Sequence, residues 1–339
     1  MPFSHVLWTG QKDCFNSLGQ RVDCCELGQK SEYEIAFSWP DPRFELIDQN
    51  IIKDRATQLI WPRNASLTEY PMGWFEALQW INELNEQQLF GKKSWRLPNR
   101  RELRSLIDHS RSNPALPQDH LFHNLAIGWY WTSTTSAMNT NYAWYIHMEG
   151  GRMFYGNKNE SYWLLPVCGT SNILPRTGQE SCFDKNGQAS LCNETGQDGF
   201  FRCGAEWPAP RFVIDAQGVL DQLTGLIWHP DGNLTDGPVS WEEALYAVKS
   251  YAAKTRQPFR LPTINEMESL VDASQHSPAL PRRHFFDNPQ EAYWTSTTSG
   301  FETDWSYVLY LHKGAVGVGY KRNKDFHVWP VMHHDQRVI

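Results

Sequence analysis

The chain has 339 residues, with 31 lysines and arginines against 38 aspartates and glutamates, for a net charge of −7. This length exceeds what one core usually serves and predicts two domains. The acidic balance excludes a general attraction to nucleic acid or anionic membrane surfaces, leaving only a local basic patch to hold a polyanion.

With 40% hydrophobic and 20% charged residues, the composition is globular. The 16 Trp and 13 Tyr fill a loop-rich core first and offer a sugar-facing surface second. No run reaches the roughly 18 apolar residues that span a bilayer, so no transmembrane segment is expected. The start "MPFSHVLWTGQ" lacks a basic stretch followed by an apolar run, and no signal peptide is read in it.

Self-similarity organises the chain. "TGQKDCF" at Thr9 returns as "TGQESCF" at Thr177, "WPDPRF" at Trp39 as "WPAPRF" at Trp207, and "WFEAL" at Trp74 as "WEEAL" at Trp241. "RLP" (Arg96 and Arg260), "NPALP" and "SPALP" (Asn113 and Ser277), "YWTSTTS" (Tyr130 and Tyr293) and the closing "PV" (Pro166 and Pro330) complete the series. The register drifts by only a few residues, which predicts two copies of one domain, residues 1–170 and 171–339, joined near "GTSNILPR". Copies of this size are expected to fold alone.

Within a copy, "FVIDAQGVLDQLTGLIW" reads as a hairpin with turns at Gly218 and Gly225. A helix follows, with Trp74, Ala77, Leu78, Ile81 and Leu84, or Trp241, Ala244, Leu245 and Val248, on its buried face. Ser240 and Glu243 form a capping-box pattern at its start. After "RLP" a second short helix begins, capped by Thr263 with Glu266, or Asn99 with Glu102. "YWTSTTS", "AWYIHM" or "SYVLYLH", "RMFYG" or "VGVGY", and "YWLLPV" or "FHVWPV" then alternate with Gly and Asn turns as strands. Two helices beside several antiparallel strands make an α+β domain. Arg96 and Arg260, set among apolar neighbours, call for carboxylate partners and are expected to pair structurally with Glu102 or Asp108 and with Glu266 or Asp272.

Seven cysteines occur. Cys14 with Cys24 and Cys182 with Cys192 repeat at one spacing that lacks the close pairs of a zinc knuckle, so two disulfides are expected. Disulfides point to an oxidising compartment and therefore to export: extracellular, cell-surface or periplasmic. Cys25, Cys168 and Cys203 have no counterpart in the other copy, which argues against a catalytic thiol common to both.

The strings "WRLPNRREL", "NPALP", "YWTSTT" and "AWYIHMEGG", with "TGQ…C…WPDPRF…LIW" before them, resemble the Lcl carboxy-terminal domain family, named for a bacterial collagen-like adhesin. The resemblance runs nearly end to end through both copies. It implies a C-type-lectin-like fold in tandem, a bacterial surface setting and binding of glycans or surface proteins. "RLPT..E" is also similar to formylglycine-generating enzymes of that broader fold, but their paired active cysteines have no counterpart. The Glu-Pro-Asn and Trp-Asn-Asp triplets of calcium-dependent lectins are absent as well.

No G-x-S-x-G, H-E-x-x-H, P-loop or dinucleotide fingerprint is present, so no catalytic residue, metal site or cofactor is expected, and calcium has no supporting motif. His333 and His334 read as a solvated tail, and the hydroxyls of Ser133 and Ser296 as partners of backbone groups. The sequons at Asn64, Asn159, Asn193 and Asn233 are short enough to arise by chance. One cluster stands out: Tyr320, Lys321, Arg322 and Lys324, with Arg152, Tyr155 and Lys158 in the matching region of copy one. A tyrosine beside cations suits an anionic sugar; an exposed turn with solvated lysines is the plainer reading. The expected function is non-enzymatic ligand binding or adhesion. The alternatives are an assembly subunit or homo-oligomer packed through aromatic patches, and an enzyme derived from the formylglycine-generating fold.

Overall fold

A computed structural model describes residues 5–24 and 38–334. Two compact units emerge, and they do not follow the repeat boundaries. One consists of residues 38–206 with Asp272–Ser274; the other combines 207–271 and 275–334 with the described segment 5–24. The division expected at 169–176, between copies 1–170 and 171–339, falls inside the first of these units. Each repeat consists of a core and a preceding disulfide-bonded arm, and each arm belongs with the core of the other repeat.

In core one a meander of Phe44–Leu46, Ile51–Asp54 and Ile60–Pro62 leads into the Trp74–Glu86 helix. A short helix, Arg100–Arg104, precedes three antiparallel strands, Trp129–Thr135, Tyr142–His147 and Met153–Asn157. Core two repeats the plan with Phe212–Asp215, Gly218–Asp221 and Leu226–Trp228, joined by Val331–His333 as a fourth strand. Its helices are Trp241–Thr255 and Ile264–Ser269, and its three long strands Tyr293–Thr298, Trp305–Tyr310 and Ala315–Tyr320. Both units are thus mixed, with few helices and many antiparallel strands. Gly218 opens a strand, paired with Asp215 across a turn at Ala216 and Gln217, and a side chain at Gly218 would meet the Trp228 carbonyl.

The helix faces read from the sequence are the buried ones. Trp74, Ala77, Leu78, Ile81 and Leu84 pack with Trp95, Leu97, Trp131 and Leu164; Trp241, Ala244, Leu245 and Val248 pack with Phe259, Leu261, Trp294 and Val328. Burying such rings supplies most of the folding free energy, about 3–5 kcal/mol for each Trp against Ala. Ser240 caps its helix as expected, whereas Gly73 has no cap side chain and relies on Glu76 reaching back to its N–H at 3.3 Å.

The "RLP" motif folds as a cap and a buried ion pair. Asn99 and Thr263 accept from the amides of Glu102 and Glu266, whose carboxylates return to the cap amides. Arg96 grips Glu102 through both guanidinium nitrogens, and Arg260 grips Glu266 in the same way. Burial alone would neutralise Glu266, but the Arg260 charge and its hydrogen bonds hold the carboxyl well below the usual range. His333, expected as solvated tail, instead lies in the strand Val331–His333, partly buried and 2.9 Å from the Arg260 guanidinium.

A second buried pair went unread in the sequence. Arg43 of "WPDPRF" binds Asp54 and the Ser105 carbonyl under the Trp39 ring, and Arg211 binds Asp221 and the Ser269 carbonyl under Trp207. It ties the meander to the short helix in each core.

Removing one partner of a buried pair strands the other charge, so Arg96→Met is expected to destabilise core one by about 3–5 kcal/mol. The double variant Arg96→Met with Glu102→Leu should cost less than either single change. Urea unfolding of the four chains measures both.

Candidate functional site

The arms meet the cores at the outer edge of the "WTSTT" strand. In Trp129–Thr135 and Tyr293–Thr298 the register shifts just before the last threonine, so Thr135 pairs with Ala143 and Thr298 with Ser306 across a bulge. On the outer side, the Trp131 amide donates to the Trp163 carbonyl, Ser133 to Pro98, and Thr135 to Gln179 Oε1. In core two the same three amides reach His327, Pro262 and Gln11 Oε1. Gln179 Nε2 donates back to the Thr135 carbonyl at 3.0 Å, and Gln11 Nε2 to Thr298 at 3.1 Å. The glutamine of "TGQ" thus imitates one residue of a neighbouring strand. Of the hydroxyls expected to meet backbone groups, that of Ser296 donates to the Pro262 carbonyl at 3.3 Å.

Each arm is a two-residue hairpin held by its disulfide. Cys14–Cys24 and Cys182–Cys192 are both formed, as the spacing predicted. Such short strands need the cross-link, because a bare hairpin of this size is not stable in water.

Lys158 and Lys321 do not stand on a surface, contrary to the expected cation platform. They are 3% and 0% exposed, each 4.1 Å from a tryptophan ring (Trp74 or Trp241) and each donating to the arm-bound threonine, Thr135 or Thr298, at 2.9 Å. Burial pushes both ammonium groups down to about 7, against the opposing charge of Asp184 in one unit and of Asp304 and Glu242 in the other. The remaining members of the sequence cluster separate. Arg152 precedes the strand whose far end Lys158 follows, and Lys324 is tied to Glu243 at 2.6 Å. Tyr155 is partly exposed against Tyr142 and Trp144, Tyr320 packs with Trp305, and Arg322 remains exposed.

The two lysines then differ. Lys321 donates to Thr298 and to the carbonyls of Phe15, Thr303 and Asn16 at 3.0, 3.0 and 3.3 Å. Among the described residues, Lys158 gives its ammonium one hydrogen bond, to Thr135. It lies instead on the wall of a cleft of about 480 Å³ formed between core one and its arm, with Asn139, Asn141, Tyr142, Asn157 and Asn159 on the core side and Lys185 and Asn186 on the arm. Core two carries Glu302, Asp304, Trp305, Tyr320 and Arg322 at the matching core positions. These asparagines are thus particular to core one, and all but Asn159, noted only as a sequon, went unread because none falls in a recurring motif.

Among the described residues no group of three or more His, Cys, Asp or Glu is arranged to hold a metal ion. Burial raises the Cys168 thiol and pushes that of Cys203 up to about 11, so neither supplies a thiolate near neutral pH. Cys25 lies outside the described residues. Asp198, buried on the second arm, accepts from Thr134 and Thr177 at 2.7 Å, and its burial still lifts it to about 6.

Residues 50–168 and 217–332 each match the Lcl C-terminal domain family. These stretches are the two cores, and together they make up well over half of the chain. The chain belongs to the Lcl C-terminal domain family. Both arms lie outside the matched stretches. No curated protein and no solved structure matches the chain. No helix among the described residues is long and apolar enough to cross a membrane, and the two disulfides are consistent with an oxidising compartment.

The lysines set a pH dependence. Their folded values near 7 lie below the ordinary 10.5, so the unfolded chain binds more protons between those limits and stability rises with pH across them. This contribution is lost as pH falls through 7. The melting temperature should therefore climb between pH 7 and 9 in the unmodified chain relative to the Lys158→Met, Lys321→Met double variant, in scanning calorimetry.

Proposed function

We propose that this chain is a non-enzymatic ligand-binding or adhesion protein acting outside the cytoplasm, and that core one recognises a glycan in its asparagine-lined cleft. The cleft carries this reading. Side-chain amides offer donors and acceptors together, which suits the paired hydroxyls of a sugar, and Tyr142 on the cleft wall offers an aromatic ring for its C–H surface. Its volume lies within the ~300–1,000 Å³ common for small-ligand sites. Family membership, the two disulfides and the buried, protonated thiols of Cys168 and Cys203 support a surface role without thiol chemistry. The C-type-lectin-like assignment of the fold is part of the same proposal.

An assembly role is the second reading, and the exchanged arms favour it.

On a glycan array the full chain is expected to bind a small set of sugars. Asn157→Ala and Tyr142→Ala should each weaken binding by about tenfold, the loss of one or two good hydrogen bonds or one ring face, without shifting the melting temperature by more than a few degrees. A folded chain that binds nothing on the array sinks the glycan reading.

A further inference from the structure

We propose that the arm groove of core two is an exchange interface whose occupant is the first arm of either this chain or a second copy of it. The two arms dock by one plan. Gln179 and Gln11 make the same two bonds to Thr135 and Thr298, and Thr140 and Thr303 donate their hydroxyls to Gly187 and Gly19 at 2.7 and 2.9 Å. The second arm follows core one directly in the chain and docks on it. An arm thus serves the core that precedes it. The first arm docks in this structure on core two, which lies after it in the sequence.

The rule that joins arm to preceding core is equally met when the first arm of one molecule seats on core two of another. The contacts are the same in both cases, so contact energy does not choose between them; the effective concentration of the tethered arm does. Intramolecular partners joined by a short linker see effective concentrations of order millimolar. Closed chains therefore prevail in dilute solution, and head-to-tail chains gain where molecules are crowded together.

The groove also selects its occupant. Thr298 presents a backbone amide and carbonyl that a glutamine side chain matches, Lys321 needs the Phe15 and Asn16 carbonyls, and the Asn265 side chain donates to the Leu7 carbonyl at 3.0 Å. An unrelated segment would leave these buried groups unsatisfied. The fitting partner is a second copy of this chain. This inference is independent of the glycan cleft, which lies in the other unit.

Ser17 Oγ lies 2.6 Å from a Glu242 carboxylate oxygen across the groove. Chains carrying only Ser17→Cys are mixed with chains of different mass tag carrying only Glu242→Cys, so a bond between those positions forms only in trans. A covalent heterodimer is expected on non-reducing gels, its yield rising with protein concentration toward the millimolar range. Adding Gln11→Leu to the Ser17→Cys chain should lower that yield by about tenfold, because two buried groups of Thr298 lose their partner. Sedimentation of the unmodified chain over the same range should reveal species at multiples of 39.3 kDa. Heterodimer no more abundant than the two homodimers, or unaffected by Gln11→Leu, overturns the proposal, as does a strict monomer at every concentration.

Discussion

The outer edge of one strand in each core is the constraint from which the rest follows. A strand with a free edge presents backbone amides that must find acceptors, and an uncovered edge invites aggregation. Here three alternating amides, those of Trp131, Ser133 and Thr135, or of Trp294, Ser296 and Thr298, are covered by three separate segments. The closing segment takes the first, the "RLP" carbonyl the second and the arm glutamine the third. The recurring motifs are therefore parts of one device, each supplying an acceptor to the same strand. Their spacing recurs because the strand's own repeat along its edge does not change.

Covering the third amide brings in everything else that distinguishes the molecule. The threonine that receives the arm also accepts from a lysine trapped over a tryptophan face, so arm, lysine and helix start lock together. The Lys158 and Lys321 carbonyls bind the first helical amides, Trp74 and Trp241, at 3.0 Å. Around this shared knot the two units diverge. Core two surrounds its lysine with three carbonyls, whereas the lysine of core one bonds Thr135 and lies on the wall of an asparagine-lined cleft.

Much of this was readable along the chain. The helix faces around Trp74 and Trp241, the caps at Asn99, Thr263 and Ser240, the pairing of Arg96 with Glu102 and of Arg260 with Glu266, and both disulfides depend on residues close in sequence, where spacing alone brings side chains together. The cluster around Tyr320 misled for the same reason. Adjacent letters such as Lys321 and Arg322 point in different directions on leaving a strand, one into the core and one to solvent. Arg43 and Asp54 went unread because neither a period nor a cap links them, although both recur as Arg211 and Asp221.

The sequence by itself determined that there are two copies, where their main helices and three long strands run, and that Arg96 and Arg260 must be paired, whereas the closing segments expected as strands form mainly isolated bridges. It could not determine which arm serves which core. Both arms carry the same glutamine and both grooves the same threonine and lysine, so local chemistry is degenerate between the two assignments. Only the tertiary structure decided it, because the choice rests on where the chain can carry each arm, and that is a property of the folded path.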